Sequence, residues 1–320
     1  MTRPKTITNK RPQNRNKGLH PRNIHRQGYN FEALTKACPN LAHFITQNEY
    51  GNTSINFANP AAVKALNRAL LKKDYNVSSW DIPDGFLCPP IPGRVDYLHY
   101  AADLLQATRR PTTSQKRNIR LLDIGTGANG IYALLACKAY GWDCAASDID
   151  PLALQNLATI IGNNPELKDS IELRLQPDKS CIFEGVIRAN EKFDITVCNP
   201  PFHASLKEAL KGNQKKRTNL ATNSPNGHKA SPALPNLNFG GQNAELWCKG
   251  GEQKFLRTMI KESRTFSAQC TWFTTLVSKS DNLPPAKKLL RKLEATAIKE
   301  IEMKQGHKIT RILAWSYRSQ

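Results

Sequence analysis

Acidic residues are scarce in this chain: 26 Asp and Glu stand against 46 Lys and Arg in 320 residues, a formal net charge of +20. Solubility needs far less, so the excess points to a polyanionic partner, nucleic acid ahead of an acidic membrane surface. Long apolar runs are missing as well. No stretch is long and apolar enough to span a bilayer, and the N-terminus has no apolar segment of the secretory kind. The Arg-rich start has the acid-free character of an organellar presequence, but its Asn and Pro content opposes an amphipathic helix, and a cytoplasmic location is expected. The eight cysteines show no Cys-x-x-Cys and no paired His spacing. Structural zinc and a disulfide framework are thereby disfavoured, no metal is called for, and the thiols read as reduced and mostly internal.

With 39% hydrophobic residues, the chain can bury one sizeable core and a smaller second module. Residues 1–28 carry eight Lys and Arg from Arg3 to Arg26, no acid and almost no large apolar side chain. Such a segment cannot pack, and reads as a disordered basic arm that follows phosphates. Residues 29–110 form a small, mainly helical module, with a helix from Pro60 and a proline loop at Cys88-Pro89-Pro90-Ile91-Pro92-Gly93-Arg94 leading into another. Arg94 in a helix first turn opposes the macrodipole, a placement that makes sense beside a bound carboxylate or phosphate. The polar stretch 111–116 marks a boundary, and residues 111–320 form an α/β domain.

That domain opens with a strand over 119–124, then Gly125-Thr126-Gly127-Ala128-Asn129-Gly130, a helix to about 140, and a strand over 142–147 ending at Asp148. Asp150-Pro151 caps the next helix. The Gly-x-Gly-x-x-Gly pattern raises a nicotinamide enzyme, but Asp123 would face a dinucleotide pyrophosphate at close range. For S-adenosylmethionine, which carries a sulfonium, an ammonium and no phosphate, the same Asp123 is an asset, and Asp148 suits the ribose hydroxyls. A third strand over 171–175 leads to Ser180, placed to meet the adenine edge of that cofactor. A fourth, over 193–198, delivers Asn199-Pro200-Pro201-Phe202 to the same sheet edge.

Those four residues suit chemistry on a planar amine. The amino nitrogen of adenine is a poor nucleophile because its lone pair is delocalised into the ring. The Asn199 side-chain oxygen and the Pro200 carbonyl can accept one amino hydrogen each and draw the nitrogen toward tetrahedral geometry, while Phe202 stacks on the base. An ordinary Asn-Pro turn would look the same in isolation. Downstream, residues 207–238 are a polar insertion with the basic cluster Lys211, Lys215, Lys216 and Arg217. Trp247 and Phe255 then read as packing residues beside paired glycines. A closing hairpin from strands over 296–304 and 309–317 completes a seven-stranded Rossmann-like class I methyltransferase sheet, and is absent from the usual nicotinamide-binding one.

These stretches together resemble the F-type 23S ribosomal RNA adenine-N6 methyltransferases, the family that modifies adenine 1618, and their eukaryotic relatives acting on small nuclear and messenger RNA. The resemblance runs from Tyr29 onward through Pro-Pro-Ile-Pro-Gly-Arg, Leu-Asp-Ile-Gly-Thr-Gly-Ala-Asn, Ser-Asp-Ile-Asp, Cys-Asn-Pro-Pro-Phe, Phe-Gly-Gly and Gly-Gly-Glu. It implies that Arg94, Gly125, Asn129, Asp148 and Ser180 bind S-adenosylmethionine, and Asp123, at the end of the first strand, and Gly127 are expected to bind it with them. It implies too that Asn199, Pro200, Pro201 and Phe202 perform transfer to large-subunit ribosomal RNA. A protein glutamine N5-methyltransferase, usually with Tyr in place of Phe202, and a non-catalytic RNA-binding protein are the alternatives.

Overall fold

The computed structural model describes residues 18–48, 50–108, 118–203, 205, 245, 247–305 and 308–318. The basic stretch 1–17, the 111–116 boundary and the 207–238 insertion lie outside the described residues.

A short antiparallel pair, β1 (Ile45–Gln47) and β2 (Thr53–Ile55), accompanies three N-terminal helices, α1 (Phe31–Ala37), α2 (Pro60–Tyr75) and α3 (Ile91–Thr108). The main sheet is built from β3 (Arg120–Ile124), β4 (Asp143–Asp148), β5 (Ile171–Leu175), β6 (Phe193–Cys198), β7 (Cys270–Val277), β8 (Ala297–Gln305) and β9 (Lys308–Ser316). Between them run α4 (Ile131–Tyr140), α5 (Pro151–Gly162), α6 (Gly251–Thr265) and α7 (Leu283–Lys292). Strand order is β5-β4-β3-β6-β7-β9-β8, parallel through β7, with β9 antiparallel to both of its neighbours. The expected seven-stranded sheet with its terminal hairpin is therefore present.

Local chemistry starts the helices where the sequence signals them. Asn59 accepts from the Ala61 and Ala62 N–H groups ahead of α2, and Asp150 accepts from Leu152 N–H ahead of α5, each with proline in the first turn. The strands alternate in facing. Leu121, Ile195 and Val197 join the core beneath α1 to α5, whereas Leu122, Ile124 and Cys198 join the one beneath α6 and α7. The N-terminal helices α1 to α3 share one continuous core with α4, α5 and the sheet.

The described C-terminal part of the expected arm is packed rather than disordered. Residues 18–28 have only Leu19 and the exposed Ile24 as large apolar side chains, but they contain His20, Asn23 and His25, which are buried. His20 N–H and the Asn23 amide both donate to Asp96 Oδ1 on α3, at 2.9 and 2.6 Å. Arg22 pairs with Asp103 at 2.7 Å, and His25 Nε2 lies 2.9 Å from Tyr75 Oη. Polar side chains thus do the anchoring that composition reserves for apolar ones.

Gly130, at φ +57°, joins the glycine loop to α4, and a Cβ there would sit 2.2 Å from Leu157 Cδ1 of α5. Gly130→Ala is expected to cost about 1–3 kcal/mol through left-handed strain and overpacking, measured as a lower urea midpoint.

Candidate active site

Parallel register brings the chemistry to one edge. Ile124 pairs with Ser147 on one side and Cys198 on the other, so β3, β4 and β6 end level and their following loops meet. There they enclose a cavity of about 480 Å³. Gly125, Gly127 and Asn129 line it from the loop after β3, and Asp148 from the end of β4. Asn199, Pro200 and Pro201 line it from the end of β6, Ser180 from the β5 side and Arg94 from the first turn of α3. Nine of the eleven expected residues therefore share one cavity wall. The other two stand apart: Asp123 is fully buried behind the wall, and Phe202 is partly buried against the core.

Asp148 holds the loop in place. Its Oδ2 accepts from Gly127 N–H at 2.8 Å and its Oδ1 from Asp150 N–H at 2.9 Å, while burial raises its pKa above the ordinary carboxylate value. Gly127 has φ +65°, and a Cβ would lie 2.9 Å from Glu245 Oε1 and 3.1 Å from Asn129 Nδ2. The backbone must stay bare there for the wall to close. Asn129 spends its amide locally, accepting from Ile131 N–H at 3.0 Å and donating to the Leu87 carbonyl at 3.3 Å. Ser180, exposed at the rim, donates its hydroxyl to Asp178 Oδ1 at 2.7 Å.

Several polar atoms at this edge are buried without a hydrogen bond. They include both Asp123 oxygens, Thr126 Oγ1 and Asn199 Oδ1. Unmet polar atoms inside a protein are costly, and a group of them around one cavity is the mark of a site shaped for a ligand that supplies donors. Burial, reinforced by the nearby Asp148 carboxylate, pushes the Asp123 pKa up to about 7. The Thr126 hydroxyl lies close enough to favour the ionised form without reaching good hydrogen-bond geometry. Arg94 donates to Tyr132 Oη at 2.9 Å and lies over that ring, and no ion pair of Arg94 occurs among the described residues. The Arg94 cation and the Asp148 carboxylate thus line one cavity, with the Asp123 carboxyl buried behind it. A zwitterionic amino-acid group fits that pairing, whereas a pyrophosphate does not.

A family described as RNA methyltransferase matches residues 13–319. The chain belongs to this family. The match settles the nicotinamide question in favour of methyl transfer. Among curated proteins, the ribosomal RNA large subunit methyltransferase F of Saccharophagus degradans is 54% identical over 319 residues, covering 97% of this chain and 98% of the relative. That of Shewanella loihica is 54% identical over 318 residues, covering 95% and 80%. Among solved structures, the human METTL16 catalytic domain in complex with MAT2A 3′UTR hairpin 1 superposes with a TM-score of 0.78 at 30% identity, covering 95% of this methyltransferase and 97% of that chain. The N-terminal domain of human METTL16 in complex with SAH gives 0.73 at 26% identity, covering 95% and 100%.

The structure adds residues that sequence reasoning passed over. Trp247, expected to pack, lines the cavity with its indole N–H buried and without a hydrogen bond, and is tied by a parallel bridge to His203 beyond the Asn-Pro-Pro-Phe stretch. Glu245 joins the wall by accepting from Leu87 N–H at 2.9 Å. The Glu of Gly-Gly-Glu, Glu252, is structural: it accepts from Lys279 N–H at 3.2 Å and also from Ser278 N–H and the Asn282 amide, bracing the loop after β7. In the sequence Trp247 allows base stacking, but packing is the favoured reading.

The Asp123 shift has a consequence for stability. Its ordinary pKa is 3.8, and in the folded protein it is about 7. Between those values the folded state holds a proton that the unfolded state has released, so the contribution is full below pH 3.8 and is lost as pH rises through 7. Unliganded wild type is expected to lose on the order of 2–3 kcal/mol between about pH 5 and 7.5 relative to Asp123→Asn, by urea denaturation at each pH. Parallel pH profiles for the two proteins would contradict the assignment.

Proposed function

We propose that this methyltransferase moves the methyl group of S-adenosylmethionine to the N6 amino group of an adenine in large-subunit ribosomal RNA. The observation that carries this reading is the buried Asn199 Oδ1, without a hydrogen bond, on the same wall as Arg94, Asp148 and the glycine loop. Adenine 1618 of 23S RNA, in the cytoplasm, is the target that the family resemblance favours. The large-subunit methyltransferase F relatives and the RNA-bound METTL16 domain support RNA as substrate. The SAH-bound METTL16 domain supports the cofactor. Among the described residues no helix is long and apolar enough to cross a membrane.

Arg94 holds the cofactor carboxylate, and Asp123, from behind the loop, stabilises the ammonium and sulfonium charges in a medium of low dielectric constant. Asp148 keeps lone pairs for the ribose hydroxyls beside its two backbone bonds. Gly125, Gly127 and Asn129 shape the floor beneath the cofactor, and Ser180 lies at its adenine edge. Bound there, S-adenosylmethionine supplies an electrophilic methyl carbon whose leaving group departs as a neutral thioether, so no metal is required.

The target base enters rotated out of its stack, and Asn199 Oδ1 and the Pro200 carbonyl each accept one amino hydrogen. These acceptors matter most as the nitrogen pyramidalises, when its hydrogens become more acidic. Pro201 stiffens the turn, and Phe202 offers the exposed part of its ring to the base. The proton released from the methylated amine passes to water.

Asn199→Ala is expected to lower kcat by roughly 100-fold or more while leaving S-adenosylmethionine affinity nearly unchanged. The assay follows labelled methyl into protein-depleted large-subunit RNA, recovered as N6-methyladenosine, with calorimetry for the cofactor. Label entering protein instead of RNA, or equal loss of affinity and rate in the mutant, would overturn this reading.

A further inference from the structure

The strand that carries Asn199 is not secured in the ordinary way. β6 pairs with β3 as far as Ile124↔Cys198, but its pairing with β7 stops at Ile195↔Trp272. The last turn of the catalytic strand thus lacks a backbone ladder on its β7 side. Side chains bridge the gap instead. Thr274 N–H donates to Thr196 Oγ1 at 3.1 Å, and Thr274 Oγ1 donates to the Thr196 carbonyl at 2.6 Å. Tyr97 Oη lies 2.7 Å from Thr274 Oγ1, and Cys198 N–H donates to the same Tyr97 oxygen at 3.4 Å.

Each hydroxyl has one proton, which fixes the direction of these bonds. The Thr274 proton is committed to the Thr196 carbonyl, so Tyr97 must donate to Thr274, and its lone pair is then left to accept from Cys198. All three side chains are essentially inaccessible to solvent, at 0% for Tyr97 and Thr196 and 1% for Thr274. No water competes for these groups, and the single arrangement that satisfies them sets where Cys198 ends and Asn199 begins. Tyr97 also meets Tyr132 edge-on at 5.4 Å, and Tyr132 accepts from Arg94. The ring that steadies the acceptor loop is therefore packed against the one that steadies the Arg94 cation.

We infer that Tyr97 and Thr274 are positioning residues for methyl transfer, holding the Asn199 acceptor by a hydroxyl relay where β6 lacks a ladder on its β7 side. The inference rests on the role proposed for Asn199. A side-chain relay can fix the strand end at a spacing from β7 that ladder bonds would not allow, and a displacement of about 1 Å at a reacting centre can cost on the order of 100-fold in rate.

The test uses the full-length protein and the large-subunit RNA assay. Thr274→Val keeps the shape and removes the hydroxyl, Thr274→Ser restores it, and Tyr97→Phe removes the other hydroxyl while keeping the ring. Thr274→Val and Tyr97→Phe are each expected to lower kcat at least about tenfold with KM for RNA and cofactor affinity within about twofold of wild type. Thr274→Ser should recover most of kcat, and the double variant should be no slower than the worse single one, because both break one relay. Amide exchange at Cys198 is expected to accelerate in Tyr97→Phe. Wild-type kcat in Thr274→Val, or a Ser variant as slow as the Val variant, would overturn the relay. So would additive losses that track loss of cofactor binding. If wild type methylates no adenine, the reading of Asn199 fails instead. The relay is then judged by exchange alone, and unchanged protection at Cys198 in Tyr97→Phe would overturn it.

Discussion

The level ending of three parallel strands is the constraint on which the rest of this molecule depends. Ile124 sits opposite Ser147 and Cys198 at once, so the glycine loop, Asp148 and Asn199 emerge from the sheet at the same height. Parallel strands point their carboxyl ends the same way, and at the crossing between β3 and β6 the helices that follow them diverge to opposite faces. The cavity is the space that this divergence leaves. A one-residue slip in β6 would exchange the side chains that face the two cores and lift Asn199 off the wall.

Electrostatics at that edge are arranged by burial more than by contact. Asp123 makes no hydrogen bond and touches no solvent, yet it lies within the influence of both Asp148 and Arg94. A carboxyl in that setting is held near neutrality until a cation approaches, and the field it then exerts is little screened. Arg94, by contrast, is kept in a defined direction by Tyr132 while its charge stays available. The same helix α3 carries Arg94 to the cavity and Tyr97 to the end of β6, which links these two parts of the wall through one element.

That helix is in turn held from outside. His20, Arg22 and Asn23 bind Asp96 and Asp103, the Asn23 amide also reaches the Pro92 carbonyl, and His99 Nδ1 meets Tyr140 Oη of α4. Burial lowers the His99 pKa to about 4 and lowers that of His25 as well, so both rings are neutral hydrogen-bonding groups at physiological pH. The N-terminal elements are thus part of the scaffold that sets Arg94, not an appendage to it.

Period and punctuation made much of this legible from the chain alone. Short apolar strands ending at Gly125, Asp148 and Asn199, and helices opened by Asn59-Pro60 and Asp150-Pro151, are local signals written in neighbouring residues. The order of those signals, with a terminal hairpin, determined the fold class, and the residue types at three strand ends determined the choice of methyl transfer over hydride transfer. What only the tertiary structure decided depends on contacts across many residues. Residues 18–28 are packed because His20, Asn23 and His25 find partners more than 45 residues away. Asp123 lies behind the wall rather than on it, Phe202 leans on the core, and Trp247 faces the cavity, because burial is set by what the whole sheet and its helices place on each side. Tyr97 and Thr274 carried no motif at all. Their partners are Thr196 and Cys198, and a hydroxyl has meaning in such a place only once the strand beside it has lost its ladder on one side.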